Sequence, residues 1–263
     1  MQVLDQRTDI QKFFRHLSTA SQRVLIVDYD GTLAPFHYRP HLAYPYPDIS
    51  RVIDRMMGDQ SNRVVIVSGR PAEQVMPLLR LARQPEIWGS HGWERLDPDG
   101  RLSVRQVDPE SRERLAQAAA LARGCGEFGA RIECKRSGVA IHWRGLPAIK
   151  AAKAQAWIDV AWAPLVGEGG LQLQPFRGGI EVMARGSHKQ YAVQSVLQET
   201  SPDSAVAYLG DDLSDEEAFM EVGARGLAVL VGDRLRDTHA NLWIRPPHEL
   251  RRFLGRWNND TRF

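Results

Sequence analysis

The chain has 263 residues, enough for one large domain or a domain carrying a second, and 34 Lys plus Arg against 32 Asp plus Glu leave a formal net charge of +2. With 43% hydrophobic and 25% charged residues and no apolar run of membrane length, the composition is that of a globular protein with neither a nucleic-acid nor a membrane surface, and a monomeric, cytoplasmic protein is expected. Cys125 and Cys134 lack the spacing of a zinc or thioredoxin-type motif and fit a reducing compartment; the start, Met1–Asp5, lacks a basic-then-apolar leader pattern.

Ile10, Phe13, Phe14 and Leu17 recur at helical spacing, predicting an amphipathic helix over 5–18. Val24-Leu25-Ile26-Val27 is a continuous apolar run, the habit of a parallel strand buried on both faces, and it leads directly into Asp28-Tyr29-Asp30-Gly31-Thr32. Two carboxylates one residue apart then sit at a strand's carboxyl end, where open α/β sheets place their ligand crevice. Their repulsion and lost solvation call for a cation, a shared proton or both; an exposed turn is the plainer alternative. Pro35, Pro40, Pro45 and Pro47 argue for an ordered loop walling the site.

A helix is expected over 48–57 and a second buried strand at Val64–Val67, ending in Ser68-Gly69-Arg70 with Pro71 opening a helix. A hydroxyl and a glycine between a strand end and a helix N-terminus form either an anion site or an ordinary capped turn. Glu86-Ile87-Trp88 reads as a third strand running into Gly89-Ser90-His91-Gly92, and Pro98-Asp99-Gly100 as a hairpin turn.

From about residue 107 the pattern changes. Leu115, Ala118, Ala119 and Ala122 mark one helix face; Ile132 and Cys134 alternate with Arg131, Glu133 and Lys135; Val139, Ile141 and Trp143 alternate with His142 and Arg144. After Pro147, Ile149, Ala152, Ala156 and Val160 are expected to form the buried face of a second helix. Leu171 and Leu173 against Gln172 and Gln174, and Ile180 and Val182 against Glu181, complete an αββαββ order of half-buried strands. This predicts an antiparallel sheet with helices on one face and a polar opposite face.

The buried style then returns. Ser187 is expected to cap a helix through Gln198 with Lys189 in its first turn, a cation that a bound anion would offset. Ala205–Leu209 is a strand ending in Gly210-Asp211-Asp212-Leu213-Ser214-Asp215-Glu216-Glu217, where Ser214 and Glu217 suggest a capping box. Ala228–Val231 reads as the last strand, and 247–263 as a short helix with a polar end. The expected architecture is therefore α/β: a Rossmann-like, mostly parallel sheet core over 1–106 and 185–263, with an inserted α+β cap domain over 107–184.

In a parallel sheet these strand ends share one edge. The acids make a hard oxygen-ligand cluster suited to Mg²⁺, while the hydroxyl, the ammonium and helix N-termini suit phosphate oxygens. Together they indicate phosphoryl transfer; no Walker-type loop is present, and an Asp carboxylate can itself attack phosphorus.

Asp28-Tyr29-Asp30-Gly31-Thr32, Ser68-Gly69-Arg70, Lys189 and Gly210-Asp211-Asp212 with Asp215 resemble the four motifs of the haloacid dehalogenase-like phosphatases, and the αββαββ insertion is similar to the larger cap of their sugar-phosphatase branch. More narrowly, Thr32-Leu33-Ala34-Pro35, Gly89-Ser90-His91-Gly92-Trp93-Glu94, Glu133-Cys134-Lys135, His142-Trp143-Arg144, Glu181-Val182 and Gly210–Glu216 resemble the trehalose-6-phosphate phosphatases over nearly the whole chain. Gln190 stands where that family usually has Gly, and Ser214 where it usually has Thr. The resemblance implies a Mg²⁺-dependent hydrolase of a sugar phosphate. It implies Asp28 as nucleophile and metal ligand, Asp30 as acid–base and metal ligand through its carbonyl, and Asp211 as ligand with Asp212 and Asp215 in or behind the ligand set. It further implies Ser68, Gly69 and Lys189 on the phosphate, and Glu133, Lys135, Glu181, Arg70 and His91 on the substrate. Rival readings are a phosphatase for a mannosyl- or glucosyl-3-phosphoglycerate or sucrose 6-phosphate, a phosphotransferase, and a phospho-acceptor receiver domain. The last has no use for the insertion.

Overall fold

The computed structural model describes residues 1–166, 170–176, 178–223 and 225–258. The chain divides into two compact units, Met1–Ser103 with His188–Phe263, and Val104–Ser187.

Among its described residues, the first unit holds a nine-stranded sheet. Its strands are β1 (Gln2–Val3), β2 (Arg23–Asp28), β3 (Asn62–Val67), β4 (Glu86–Gly89), β5 (Glu94–Leu96), β6 (Leu102–Val104), β11 (Ala205–Gly210), β12 (Leu227–Val231) and β13 (Leu242–Ile244), numbered with the second unit's β7–β10. The order is β1-β13-β12-β11-β2-β3-β4-β5-β6, and every pair from β13 through β4 is parallel, with β1 and β5 added antiparallel. The apolar run Val24–Val27 is fully buried because both faces are covered. Leu25 and Val27 join the side lined by Phe14, Ile53, Leu79 and Phe253; Val24 and Ile26 join the side lined by Val193, Val196 and Phe219. The covering helices are α1 (Ile10–Thr19), α2 (Ile49–Met57), α3 (Ala72–Leu79) and α8 (His248–Trp257) on the first side, and α6 (Lys189–Gln198) and α7 (Glu216–Gly223) on the other. Register aligns the carboxyl ends: Leu209 is level with Val27, and Asp28 with Val67.

The second unit runs α4 (Pro109–Ala122), β7 (Arg131–Cys134), β8 (Gly138–His142), α5 (Ala148–Trp162), β9 (Leu171–Phe176) and β10 (Gly179–Ala184). Its sheet is antiparallel in the order β7-β8-β10-β9. Here α5 departs from expectation. Its buried face is Ala154, Ile158 and Trp162, while Ile149 and Val160 are 69% and 77% exposed. The indole decides the orientation: Trp162 is fully buried and its Nε1 donates to the Ala118 carbonyl at 3.1 Å, which outweighs two exposed aliphatic side chains.

Other differences are local. Asp9 caps α1 through the Lys12 N–H, so the helix begins at Ile10 and not at residue 5. His188, not Ser187, stands at the N-cap of α6, and the capping box is Asp212 with Asp215 around the turn Leu213–Asp215, not Ser214 with Glu217. Pro71 occupies the N-cap position of α3, and Pro40–Leu42 forms one 3₁₀ turn inside the proline loop. The short strands β1 and β13 escape the pattern analysis, and the polar end expected at 259–263 lies outside the described residues.

Candidate active site

Asp28 is the last residue of β2 and is 3% exposed. The chain then turns tightly: Gly31 N–H donates to the Ala34 carbonyl at 2.7 Å, and the buried Tyr29 hydroxyl donates to the Ala43 carbonyl at 2.6 Å, tying the strand end to the proline loop. Gly31 has φ +89°, and a Cβ there would lie 2.1 Å from Asp211 Oδ2. Glycine is thus required twice over, by its backbone and by the carboxylate that closes against it.

Asp211 follows β11, and the oxygens of Asp28, Asp211 and Asp215 lie within 4.8 Å of one another. These acids are not equivalent. Asp215, fully buried, accepts four hydrogen bonds: Lys189 Nζ at 2.7 Å and Tyr208 Oη at 2.5 Å on Oδ1, and the Asp211 and Asp212 N–H groups at 3.0 and 2.9 Å on Oδ2. Asp28 Oδ1 accepts Lys189 Nζ at 2.7 Å. Asp28 Oδ2 and Asp211 Oδ1, both buried, have no partner among the described residues. Unpaired buried carboxylate oxygens are costly, and a hard divalent cation is the group that resolves them. Asp28 and Asp211 therefore fit a metal, whereas the lone pairs of Asp215 are already engaged.

The electrostatics agree. Burial, then the charge of Asp215, push the Asp28 carboxyl up to about 7 despite Lys189, and burial with Asp28 and Asp215 raises Asp211 well above the carboxylate range. Burial works against the Lys189 ammonium, but Asp215 and Asp28 together hold its pKa above the usual value. That pairing explains how a lysine, 4% exposed, sits in the first turn of α6 against the helix dipole.

Asp30 stands apart from this cluster. Arg70 grips it bidentately at 2.5 Å on each oxygen and donates to the Pro40 carbonyl at 2.8 Å. Ser68 is buried; its Oγ accepts from the Arg70 N–H at 3.1 Å, as expected of a βα turn. The segment 89–94 braces this turn. The Ser90 N–H donates to the Arg70 carbonyl and the His91 N–H to the Ser68 carbonyl, at 2.8 and 2.9 Å, while Glu94 accepts the Ala72 N–H at the start of α3 at 3.0 Å. A Cβ on Gly69 would lie 2.7 Å from His91 Nε2, so only glycine lets the imidazole lie over the loop. Ser90 and His91 themselves take φ +49° and +56°, a left-handed conformation non-glycine residues rarely adopt.

In the second unit, pairing sets Glu133, Ala140, Glu181 and Gln174 in one row of the sheet face. Lys135 Nζ meets Glu181 Oε2 at 2.6 Å, both nearly buried, and His142 Nε2 and Arg131 Nη1 lie 2.9 and 3.1 Å from Glu133 Oε2. The hydrogen bond with His142 is the main reason the Glu133 carboxyl falls to about 2. The expected polar face is thus paired, and Glu181, on an inner strand, is buried rather than solvated. Leu173 and Cys134, expected inward, are exposed on the edge strands β9 and β7.

Sequence reasoning missed Tyr208 and Arg236. Tyr208 was legible as the one side chain of its buried strand with a polar end to satisfy; Arg236 lies in a loop without pattern.

The family model for trehalose-phosphatase matches residues 26–238. A trehalose-phosphate phosphatase of Mycobacterium ulcerans is 30% identical over 252 residues, 90% of this chain and 62% of that protein, so the chain spans less than two thirds of this relative. The C-terminal domain of the trehalose-6-phosphate phosphatase of C. albicans superposes with a TM-score of 0.83 at 18% identity, covering 98% of this chain and 99% of that one. A haloacid dehalogenase-like hydrolase from B. subtilis superposes at 0.61 with 14% identity, covering 89% and 99%. These two likenesses are of fold.

Proposed function

The chain belongs to the trehalose-phosphatase family, and from that premise we propose that it hydrolyses trehalose 6-phosphate to trehalose and phosphate through an aspartyl-phosphate at Asp28. The observation that supports this most is Lys189 on Asp28 Oδ1 beside the unpartnered Asp28 Oδ2 and Asp211 Oδ1. It is a carboxylate held in place by a cation, beside two further carboxylate oxygens suited to a divalent ion.

In this reading Asp28, Asp211 and the Asp30 carbonyl would hold Mg²⁺, which when bound would neutralise charge on the phosphate oxygens and the nucleophile. Lys189, Ser68 and the Gly69 turn bind the phosphoryl oxygens. The Asp28 carboxylate attacks phosphorus, the phosphorus–sugar oxygen bond breaks, and the leaving oxygen takes the proton of Asp30. Asp30, now a carboxylate, takes a proton from water; the water oxygen attacks phosphorus and the bond to Asp28 breaks, releasing phosphate. Arg70, bonded to both oxygens of Asp30, orients that side chain. The second unit is read as the cap, with Glu133, Lys135 and Glu181 as acceptors and donor for sugar hydroxyls and His91 as a further substrate contact.

The test is phosphate release from a panel containing trehalose 6-phosphate, sucrose 6-phosphate and glucosyl-3-phosphoglycerate, with Mg²⁺ and with excess chelator. Release from trehalose 6-phosphate with Mg²⁺ only, abolished by Asp28→Asn, is expected. Full activity in chelator, or more than a tenth of the wild-type rate in Asp28→Asn, refutes the mechanism.

A further inference from the structure

We propose that Arg236, together with Glu216, is a positioning residue that aims the Asp211 carboxylate at the divalent cation. The proposal rests on the metal assignment above and not on the identity of the sugar.

Arg236 lies in the loop between β12 and β13. Its Nη2 donates to the Asp212 carbonyl at 2.7 Å and to the Asp211 carbonyl at 3.3 Å, and its Nε reaches the Asp211 carbonyl at 3.4 Å. Its Nη1 donates to the Asp237 carbonyl at 2.9 Å and to the Glu216 carboxylate. Glu216, at the start of α7, also accepts the His239 N–H at 2.7 Å and the Thr238 hydroxyl at 3.3 Å. One ion pair thus fastens the loop after β12 to the loop after β11.

The consequence for Asp211 follows from the peptide geometry. On their N–H side Asp211 and Asp212 are held by Asp215 Oδ2; on their carbonyl side both are held by Arg236. With donor and acceptor of each residue engaged, the backbone is fixed about the bond that carries the side chain. The carboxylate itself has no such support: Oδ1 is buried without a partner among the described residues, and it is crowded by the charges of Asp28 and Asp215. The clamp fixes the backbone from which the Asp211 side chain extends, and with it the point from which the carboxylate reaches toward Asp28. Partners that orient a metal ligand from behind are worth on the order of 10–100-fold in affinity.

Arg225 supplies the comparison. It is also a guanidinium on main-chain carbonyls, those of Leu197 at 2.9 Å, Thr200 at 3.3 Å and Ser201 at 3.1 Å, but these lie in and just after the last turn of α6, at the end opposite Lys189. A purely structural role for Arg236 would make the two arginines alike.

The experiment titrates Mn²⁺ calorimetrically into substrate-free, full-length wild type, Arg236→Met, Arg236→Lys, Glu216→Gln and Arg225→Met, with melting temperatures of each and the Mg²⁺ concentration for half-maximal phosphatase activity. Arg236→Met should weaken Mn²⁺ binding about 10–100-fold, with Glu216→Gln and Arg236→Lys between it and wild type. The Mg²⁺ requirement should rise in parallel while KM for the sugar phosphate at saturating Mg²⁺ stays near wild type. Added guanidinium should restore part of the affinity, and Arg225→Met should lower the melting temperature with unchanged Mn²⁺ affinity. Unchanged Mn²⁺ affinity in folded Arg236→Met and Arg236→Lys overturns the proposal, as does equal weakening in Arg225→Met or a wild type that binds no Mn²⁺. Wild type that binds Mn²⁺ in an Arg236-dependent manner but leaves trehalose 6-phosphate intact sinks the substrate reading alone and supports the clamp.

Discussion

Replacing Lys189 by methionine keeps most of the unbranched side chain, one atom shorter, and removes its charge. The ammonium, 4% exposed, stands between Asp28 at 4% and Asp215 at 0%, bonded to each at 2.7 Å. Its loss leaves two buried carboxylates facing each other with no cation between them, and removing one partner of a buried pair costs about 3–5 kcal/mol. For a chain of this size that corresponds to a fall of about 6–20 °C in melting temperature, at about 2–4 °C per kcal/mol. Because the penalty arises from the stranded acids, the double variant Lys189→Met with Asp215→Asn should lose less than the sum of the single losses, with a coupling of about 1–3 kcal/mol. Denaturant unfolding of the four proteins in chelator, followed by fluorescence and by far-ultraviolet circular dichroism, measures the cycle. A loss below about 1 kcal/mol, the range of an exposed pair, or strict additivity, would refute the buried triad as the organising feature of the site.

Single Glu133→Ala, Lys135→Ala and Glu181→Ala variants should lower kcat/KM for trehalose 6-phosphate about 10–100-fold, from about 1.5–3 kcal/mol per charged hydrogen bond, and leave hydrolysis of an aryl phosphate near wild type; equal losses on both substrates would assign these residues to folding. Because Lys135 and Glu181 are buried against each other, their variants should also melt earlier than Glu133→Ala, and thermal melting checks this. Glu133 makes a pH prediction. Its pKa in the folded chain, about 2, lies below the ordinary 4.5, so its stabilisation is present above pH 4.5 and is lost as pH falls toward 2. The stability gap between wild type and Glu133→Gln should close across that window, and a gap independent of pH would remove His142 and its neighbours as the cause.

The fold was legible where burial dictates residue type. Val24–Val27, Val64–Val67 and Ala205–Leu209 read as strands because a parallel sheet covered on both faces tolerates little else. Legibility failed where a pattern had two solutions. In α5 both Ile149–Val160 and Ala154–Trp162 make an apolar stripe at helical spacing, and only a partner for the Trp162 indole selects between them. The capping residues failed for a related reason: Ser214 and Glu217 match the pattern as well as Asp212 and Asp215, and a 3₁₀ turn ahead of α7 shifts the frame. The three-residue β13 is too short to carry a period. In the site, the sequence indicates which residues are chemically able, and it is silent on pairing. It does not reveal that Arg70 is engaged by Asp30, or that Asp215 spends its lone pairs on Lys189, Tyr208 and two peptide groups.

That distribution of donors gives the cluster its logic. Three carboxylates, Asp28, Asp211 and Asp215, face one ammonium, Lys189, which leaves an excess of two negative charges in a buried site. Protons are one way to relieve it, and burial with the neighbouring carboxylates pushes the Asp28 and Asp211 carboxyls up accordingly. A protonated Asp28, however, is a poor nucleophile. A divalent cation cancels the same excess and leaves the carboxylate ionised. Asp215 has little part in that exchange, since its oxygens already accept four hydrogen bonds. The cation is therefore expected to act on the ionisation of Asp28 and Asp211 while Asp215 and Lys189 keep their places.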